Sequence, residues 1–348
     1  MSYSKKQITK AGKILLTSKS IEERNAALEL INIWRSNHLH PLNVMKNSLL
    51  RLLNQNKIEP LIVSQRLKRL TSIEYKLDLN ESMGLGGMQD IGGYRAVVKD
   101  TKDLFKLKRL LEKNTNNHTL KRTVDYVHSP KPSGYRSIHF IYDYNSKSEK
   151  YKGLQLELQI RTKLQHNWAT AVETAGILTK TSLKSSQGPD EWLYFFKIVS
   201  SLFAIKEKLP VLQEHTKLSM EELMVECSNC TVKLNIIDIL KALRISAKQI
   251  EIDKFNGDYY LININLLKKF VHITTFKKSD FESASEEYLN LEKTIKDNEN
   301  AVVLVAASSI KSLKKAYPSY FLDTSEFISA LERINDNCKR LNLTNSYK

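Results

Sequence analysis

The chain has 348 residues, 41% of them hydrophobic, with 54 Lys and Arg against 38 Asp and Glu and a formal net charge of +16. That length suits two modest domains or one large domain with an extension, and the apolar content excludes overall disorder. No run of about 18 apolar residues occurs, Met1–Lys19 lacks the apolar centre of a signal peptide, and three cysteines cannot frame a disulfide scaffold, so a soluble cytoplasmic protein without a membrane span is expected. Residues 8–80 read as helical. Ile21 to Trp34 places Ala26, Leu28, Leu30, Ile31 and Ile33 at helical spacing with Glu22 and Glu23 in the first turn, and His40-Pro41 is expected to stop that helix. Further helices are predicted from Leu42 to Asn54 and, after Pro60, from Leu61 to Leu79.

The character changes at 84–161. Gly84, Gly86 and Gly87 form a loop and Gly92-Gly93 follows. Strands are predicted at Tyr94–Lys99, Thr123–Val127, Ser137–Tyr144 and Leu154–Arg161, with helices at Leu104–Leu111 and Thr162–Leu178. This is an α/β pattern with helices on both sides of a mixed sheet. Thr181–Asp190 reads as a solvent-exposed loop, and Leu193–Leu212 and Met220–Glu226 as helices. Beyond Cys227 a small mixed region is expected. Its predicted strands are Val232–Ile236, Asp258–Asn265 and Ala301–Ala306, and its predicted helices Ile237–Ala247, Phe281–Asp297, Ile310–Tyr317 and Thr324–Asn335.

Charge is uneven along this order. Residues 1–190 hold 32 basic and 17 acidic side chains, whereas 191–348 hold 22 and 21. A cationic half points to a polyanion, nucleotide phosphates or nucleic acid, although a solvated face is the simpler alternative.

Four segments carry chemistry. In Leu154–Arg161 the leucines and Ile160 alternate with Gln155, Glu157, Gln159 and Arg161, a polar stripe suited either to an exposed face or to a concave ligand-binding one. In Ser133-Gly134-Tyr135-Arg136-Ser137-Ile138-His139, preceded by Asp125-Tyr126 and Pro130-Lys131-Pro132, Gly134 permits a tight turn. That turn would leave Tyr135 at a strand edge with its ring free to stack on a base, half-buried packing being the alternative. In the predicted helix Val63–Leu79, Lys68, Ser72 and Lys76 share one face with Arg66 nearby. In Asp90-Ile91-Gly92-Gly93-Tyr94-Arg95 the glycines let backbone approach phosphate, Asp90 offers a hard oxygen to Mg²⁺, and Arg95 can stack on a base or clamp phosphate. The glycines at 84–87 are no Walker loop, because no Gly-Lys-Ser/Thr follows.

RLKRLTSIEYK (66–76), DIGGYR (90–95), DYVHSPKPSGYRSIH (125–139) and ELQIRT (157–162), followed by His166 and Trp168, together resemble the RelA/SpoT synthetase domain in order and spacing. The resemblance implies an ATP-dependent pyrophosphokinase, which moves the β,γ-diphosphate of ATP to a ribose 3′-hydroxyl and releases AMP. It implies that Arg66, Lys68, Ser72 and Lys76 hold the ATP phosphates and that Arg95 stacks on adenine. Asp90 would bind Mg²⁺, together with Glu157, which would also accept the 3′-hydroxyl proton. Tyr135 would stack on the acceptor base, and Lys131, His139, Gln159 and Arg161 would line the acceptor side. Leu77, Asp78 and Leu79 stand where many family members carry another basic residue, so this phosphate clamp is weaker or completed elsewhere. With about 60 residues ahead of Arg66, the metal-dependent hydrolase domain of the long family members is not expected.

The flanks extend the resemblance. Cys227-Ser228-Asn229-Cys230 is half a zinc site with only His272 and Cys338 to complete it, so a finger-like fold without its metal is expected. INIWRSNHLHPLN (31–43) and Tyr317-Pro318-Ser319-Tyr320-Phe321 resemble CapRel-type fused toxin–antitoxin proteins. That likeness implies a YxxY motif, here Tyr317 and Tyr320, covering the ATP site of a synthetase that pyrophosphorylates the 3′-CCA end of tRNA, and release by a phage capsid or other phage protein. The expected fold is α+β. It comprises an N-terminal helical segment (1–60), a nucleotidyltransferase-like pyrophosphokinase core (61–190), a helical connector (191–226) and a small pseudo-zinc-finger antitoxin domain with C-terminal helices (227–348). The rival reading is a synthetase of guanosine or adenosine alarmones acting on GDP or GTP, with a regulatory tail. A catalytically dead RNA- or nucleotide-binding module fits Asp90, Glu157 and the basic segment less well.

Overall fold

A computed structural model describes residues 3–80, 82–113, 117–179, 181, 183–246, 249–252, 257–265, 270–294, 300–307, 309–321 and 323–343. Three helices open the chain: α1 (Lys5–Thr17), α2 (Ile21–Asn37) and α3 (Leu39–Gln55). Ser4 and Ser20 cap the first two, each accepting the backbone N–H three residues on. His40-Pro41 does not stop α2. The helix ends earlier, at Asn37, and Pro41 lies in the first turn of α3, where a missing N–H costs no intrahelical bond.

The predicted helix Leu61–Leu79 is two elements, strand β1 (Ile62–Leu67) and helix α4 (Leu70–Asp78). Ile62-Val63 is a β-branched start, and each residue of β1 finds a partner on β2 (Gly92–Val98), from Ile62 opposite Val97 to Leu67 opposite Gly92. Lys68 therefore sits at the strand-to-helix turn, and only Ser72 and Lys76 of the anticipated basic face share a helix. The chain continues through α5 (Thr101–Lys113), β3 (Thr119–Asp125), β4 (Ile138–Asp143), β5 (Gln155–Thr162), α6 (Lys163–Thr179) and α7 (Asp190–Lys206). A short 3-10 turn, Leu183–Ser185, interrupts the expected loop before α7.

Helices α8 (Met220–Lys233) and α9 (Ile236–Ser246) replace the strand predicted at Val232–Ile236. Both cysteines of the CxxC lie within α8, so the finger-like turn expected there is helical. Ser219 and Glu222 form a capping box that starts α8, and Cys227 packs at 0% exposure among Leu223, Met224 and Leu331. Burial pushes the thiols of Cys227, Cys230 and Cys338 upward. Strands β6 (Gln249–Ile252), β7 (Tyr259–Asn265) and β8 (Phe270–Phe276) follow, then α10 (Phe281–Thr294), β9 (Asn300–Ala306), α11 (Ile310–Ala316), a 3-10 turn at Pro318–Phe321 and α12 (Ser325–Arg340). β6 and β8 were not legible in the sequence.

Among the described residues the strands form one mixed sheet in the order β3-β4-β5-β2-β1-β9-β7-β8-β6. The N-terminal half of the sheet joins the C-terminal half where Gln65 and Arg66 of β1 pair with Ala306 and Val305 of β9. On one face Tyr94, Ala96, Val98, Phe140, Leu156, Leu158 and Ile160 pack against α3 and α5. Another apolar cluster joins α6, α7, α8 and α12, with Phe327 set among Phe195, Phe196 and Phe203. The segments after Cys227 thus split between this helical layer and the far half of the sheet. No helix among the described residues is long and apolar enough to cross a membrane.

Candidate active site

β1, β2 and β5 run side by side, and alternation sends most of their polar side chains to one face, while Gln65 turns to the other and donates to Asn43. There Ser64, Arg66, Arg95, Glu157, Gln159 and Arg161 line a cavity. Lys68, Ser72 and Asp90 close one end, and Glu173 of α6, Lys184 and Tyr317 another. The polar stripe of β5 is therefore neither core nor open surface. Its first member, Gln155, lies away from the cavity and donates to Asp143 at 3.1 Å.

At the first end Lys68 and Lys76 each donate to one Asp90 oxygen at 2.9 Å. The two residues expected to bind phosphate and the one expected to bind metal thus hold each other. Burial would raise the Asp90 carboxyl, but the two ammonium groups override it and bring it down to about 2. Burial lowers Lys68, and Asp90 offsets part of that. This pairing contributes stability on the order of 2 kcal/mol, present above the ordinary carboxyl range near 3.8 and lost as pH falls toward 2. Asp90→Asn is expected to lower stability at neutral pH by that order and to flatten the loss between pH 4 and 2, measured by urea unfolding at a series of pH values.

Along the floor runs a hydrogen-bonded chain. Tyr135 Oη lies 3.0 Å from His139 Nε2, and His139 Nδ1 lies 2.9 Å from Glu157 Oε1. Gln159 donates to Glu157 Oε2 at 2.6 Å, and Arg161 donates to Gln159 at 2.6 Å. Burial opposes ionisation of Glu157, but His139 and the Gln159 amide hold its carboxyl below the ordinary range. Burial likewise disfavours charge on His139, which Tyr135 and Glu157 outweigh, raising it. Tyr135 is brought down to about 7 against burial by His139, Arg161 and Lys184.

Tyr135 is not free at a strand edge. It is 2% exposed, because Gly134 (φ +87°) turns the chain inward against Ser200 and Trp168. Ser200 of α7 donates to the Gly134 carbonyl at 2.6 Å, and Arg136 donates to the same hydroxyl at 3.2 Å. Lys184 Nζ, Lys131 Nζ and the Arg161 guanidinium lie 4.9, 5.5 and 5.8 Å from the Tyr135 ring centre.

Opposite this chain Arg95 donates to Ser64 Oγ at 3.0 Å and lays its guanidinium 5.1 Å from the ring centre of Tyr317. Tyr317 is 2% exposed and donates to the Gln65 carbonyl at 2.6 Å. The side chain of Tyr320 lies outside the described residues. Sequence reasoning missed Glu173 and Lys184, which pair at 3.0 Å. Glu173, held well below the carboxylate range by Lys184, Arg66 and Arg95 against its burial, is an acid among Ala169, Ala171, Val172 and Ala175, and that contrast could have marked it. Lys184 gave no such signal within TSLKSSQGPD. His166 is buried, and both its ring nitrogens lack a hydrogen-bond partner.

Among the described residues no group of three or more His, Cys, Asp or Glu side chains gathers to hold a metal ion. Three carboxylates, Asp90, Glu157 and Glu173, do face the cavity, and Glu173 is paired with Lys184. Residues 65–182 match the model of the region found in RelA / SpoT proteins.

This RelA / SpoT region contains every residue of the cavity except Ser64, Lys184 and Tyr317. Similar sequences include a GTP pyrophosphokinase of Bacillus subtilis, 30% identical over 24% of this chain and 40% of its own length. Another is a GTP pyrophosphokinase of Haemophilus influenzae, 28% identical over 42% of this chain. The chain spans only 18% of the length of that second relative. The small alarmone synthetase 1 structure from Bacillus subtilis is 24% identical, with a TM-score of 0.43, over 50% of this chain and 90% of that one.

Proposed function

We propose that the chain is an ATP-dependent pyrophosphokinase whose donor site is covered by its own C-terminal segment. One observation carries this reading: a cavity within the RelA / SpoT region gathers Arg66, Arg95, Lys68, Asp90 and Glu157, and Tyr317 occupies the arginine. The triphosphate of ATP is highly anionic, so positioning and charge neutralisation are the main tasks. Arg66, Lys68, Ser72 and Lys76 would take the phosphates. Lys68 and Lys76 are at present spent on Asp90, and phosphate oxygens would draw them away. Asp90 and Glu157, both held ionised, are hard oxygen donors of the kind Mg²⁺ takes, and they would hold the ion, which supplies Lewis-acid polarisation of the phosphoryl oxygens. Glu157, fixed by His139 and Gln159, would accept the proton of the attacking 3′-hydroxyl. For an acceptor base to stack on Tyr135, one of its three cations must yield a ring face, and Lys131, His139, Gln159 and Arg161 would line that side.

The finer reading is a toxin that pyrophosphorylates the 3′-CCA end of tRNA, is restrained by Tyr317 and Tyr320, and is released by a phage capsid or other phage protein in the cytoplasm. The resemblance in the chain's flanks and the basic character of residues 1–190 support it. Two similar proteins, both GTP pyrophosphokinases, favour an alarmone synthetase acting on GDP or GTP instead. Incubation of the protein and its Tyr317→Ala variant with γ-³²P-ATP and GDP, GTP or deacylated tRNA separates the two. Label in tRNA alone is the expected result. Label confined to nucleotide establishes the alarmone reading, and no transfer to any acceptor overturns the pyrophosphokinase.

A further inference from the structure

Helix α4 carries Ser72 and Lys76, yet its own N-cap residue, Arg69, makes no side-chain capping bond. The cap comes from 222 residues away. Glu292 on α10 accepts the Leu70 N–H at 2.7 Å, placing a carboxylate at the positive end of α4. The same carboxylate receives Arg35 of α2 through two bonds, at 2.6 and 3.2 Å, and the Tyr288 hydroxyl at 3.0 Å. Arg35 in turn donates to the Lys68 carbonyl at 3.1 and 2.9 Å, to Asn32 at 2.9 Å and to the Tyr288 hydroxyl. Arg35 is 0% exposed and Glu292 7%. The segment from Lys68 to the first turn of α4 is therefore held at its carbonyl by Arg35 and at its N–H by Glu292, in a cluster that is almost wholly buried.

We propose that Glu292 is a positioning residue of the donor site: with Arg35 it fixes the Lys68–Lys76 segment that presents Lys68, Ser72 and Lys76 to the phosphates of ATP. The C-terminal part of the chain then plays two opposed parts. Tyr317 covers the site, and α10 assembles it. Uncovering Arg95 must move the Tyr317 segment while α10 stays seated, because departure of α10 would leave Arg35 buried without its counter-ion and α4 without its cap. This inference rests on the donor-site reading above and adds which part of the chain completes that site.

The test uses the full chain in the Tyr317→Ala background. Glu292→Gln keeps an acceptor oxygen but loses the charge, and Glu292→Ala loses both. Arg35→Met with Glu292→Leu replaces the buried pair by apolar groups of similar volume and keeps a folded variant in hand if Glu292→Ala fails to fold. Hydrogen exchange is read at the Leu70 amide and through Leu70–Lys76, and affinity for a non-hydrolysable ATP analogue is read separately. The expected result is faster exchange confined to that segment and about tenfold weaker analogue binding in Glu292→Ala and in the double variant, with the KM for the acceptor unchanged. Unaltered exchange at Leu70–Lys76 in the folded double variant overturns the proposal, as does unaltered analogue affinity. If the Tyr317→Ala parent itself binds no ATP analogue, the donor-site reading fails, and exchange at Leu70 still decides whether Glu292 fixes α4.

Discussion

Glu157→Gln is expected to lower pyrophosphate transfer by about 10²- to 10⁴-fold, the range a lost general base removes. The side chain is set for that part by two neighbours and by its own strand. His139 stands at one oxygen, the Gln159 amide donates to the other, and β5 fixes the backbone between β4 and β2. Glutamine matches glutamate in volume and retains a carbonyl oxygen for Gln159, so the sheet keeps its packing. It cannot take a proton at neutral pH. The checks are transfer rate, thermal midpoint and ATP-analogue affinity without Mg²⁺, with the last two expected near those of the parent. Undiminished transfer would remove Glu157 from the base role and direct attention to Asp90.

Tyr317→Ala is expected to strengthen binding of an ATP analogue by about 10²-fold or more. Three contributions hold Tyr317 in the cavity: its contact with Arg95, roughly 0.5–2 kcal/mol; its bond to the Gln65 carbonyl, roughly 0.5–1.5 kcal/mol; and burial of its ring, roughly 1.5–3 kcal/mol. Even the lower bounds together exceed the 1.4 kcal/mol that makes a tenfold difference. Tyr317→Phe keeps the ring and loses only the hydroxyl bond, so an increase nearer tenfold is expected. This pair of variants separates displacement of the ring from general loosening of the apolar cluster that Tyr317 shares with Leu313 and Phe321. Calorimetric titration reads both. Equal affinity in parent and Tyr317→Ala would show that the ring does not compete with nucleotide.

The site was more legible than the fold around it. Arg66, Lys68, Ser72, Asp90, Arg95, Glu157, Gln159 and Arg161 were all marked from motifs, and they line one cavity. Motifs are read from residue type and order, which survive an error in secondary structure. Such an error occurred at Leu61–Leu79, where Lys68, Ser72 and Lys76 at helical spacing hid a strand. Lys68 and Lys76 still meet, because Asp90 draws them together from different elements. The CxxC misled in the opposite direction. A pair of cysteines suggests a metal turn, but nothing local distinguishes it from two buried thiols on a helix, and the capping box Ser219–Glu222 was the better signal. Tyr135 is buried, not free at an edge, because the Gly134 turn seats against Ser200 of α7 and Trp168 of α6, neighbours that come from distant helices. Glu292 meets its partners 222 and 257 residues away, a distance that no window along the chain can span.

The pairing of β1 with β9 brings together residues about 240 positions apart. A chain emerging from the ribosome folds N-terminal parts first, so β1, β2 and β5 can form long before their last neighbour exists. On that schedule an enzyme of this kind would stand uncovered while the remainder was being made. The position of Glu292 alters the sequence of events. It leaves the ribosome only about 25 residues ahead of Tyr317, an interval of roughly one to five seconds at ordinary rates of synthesis. If Glu292 completes the donor wall and Tyr317 shuts it, the two are born almost together, and the nascent chain would spend little time both finished and unguarded.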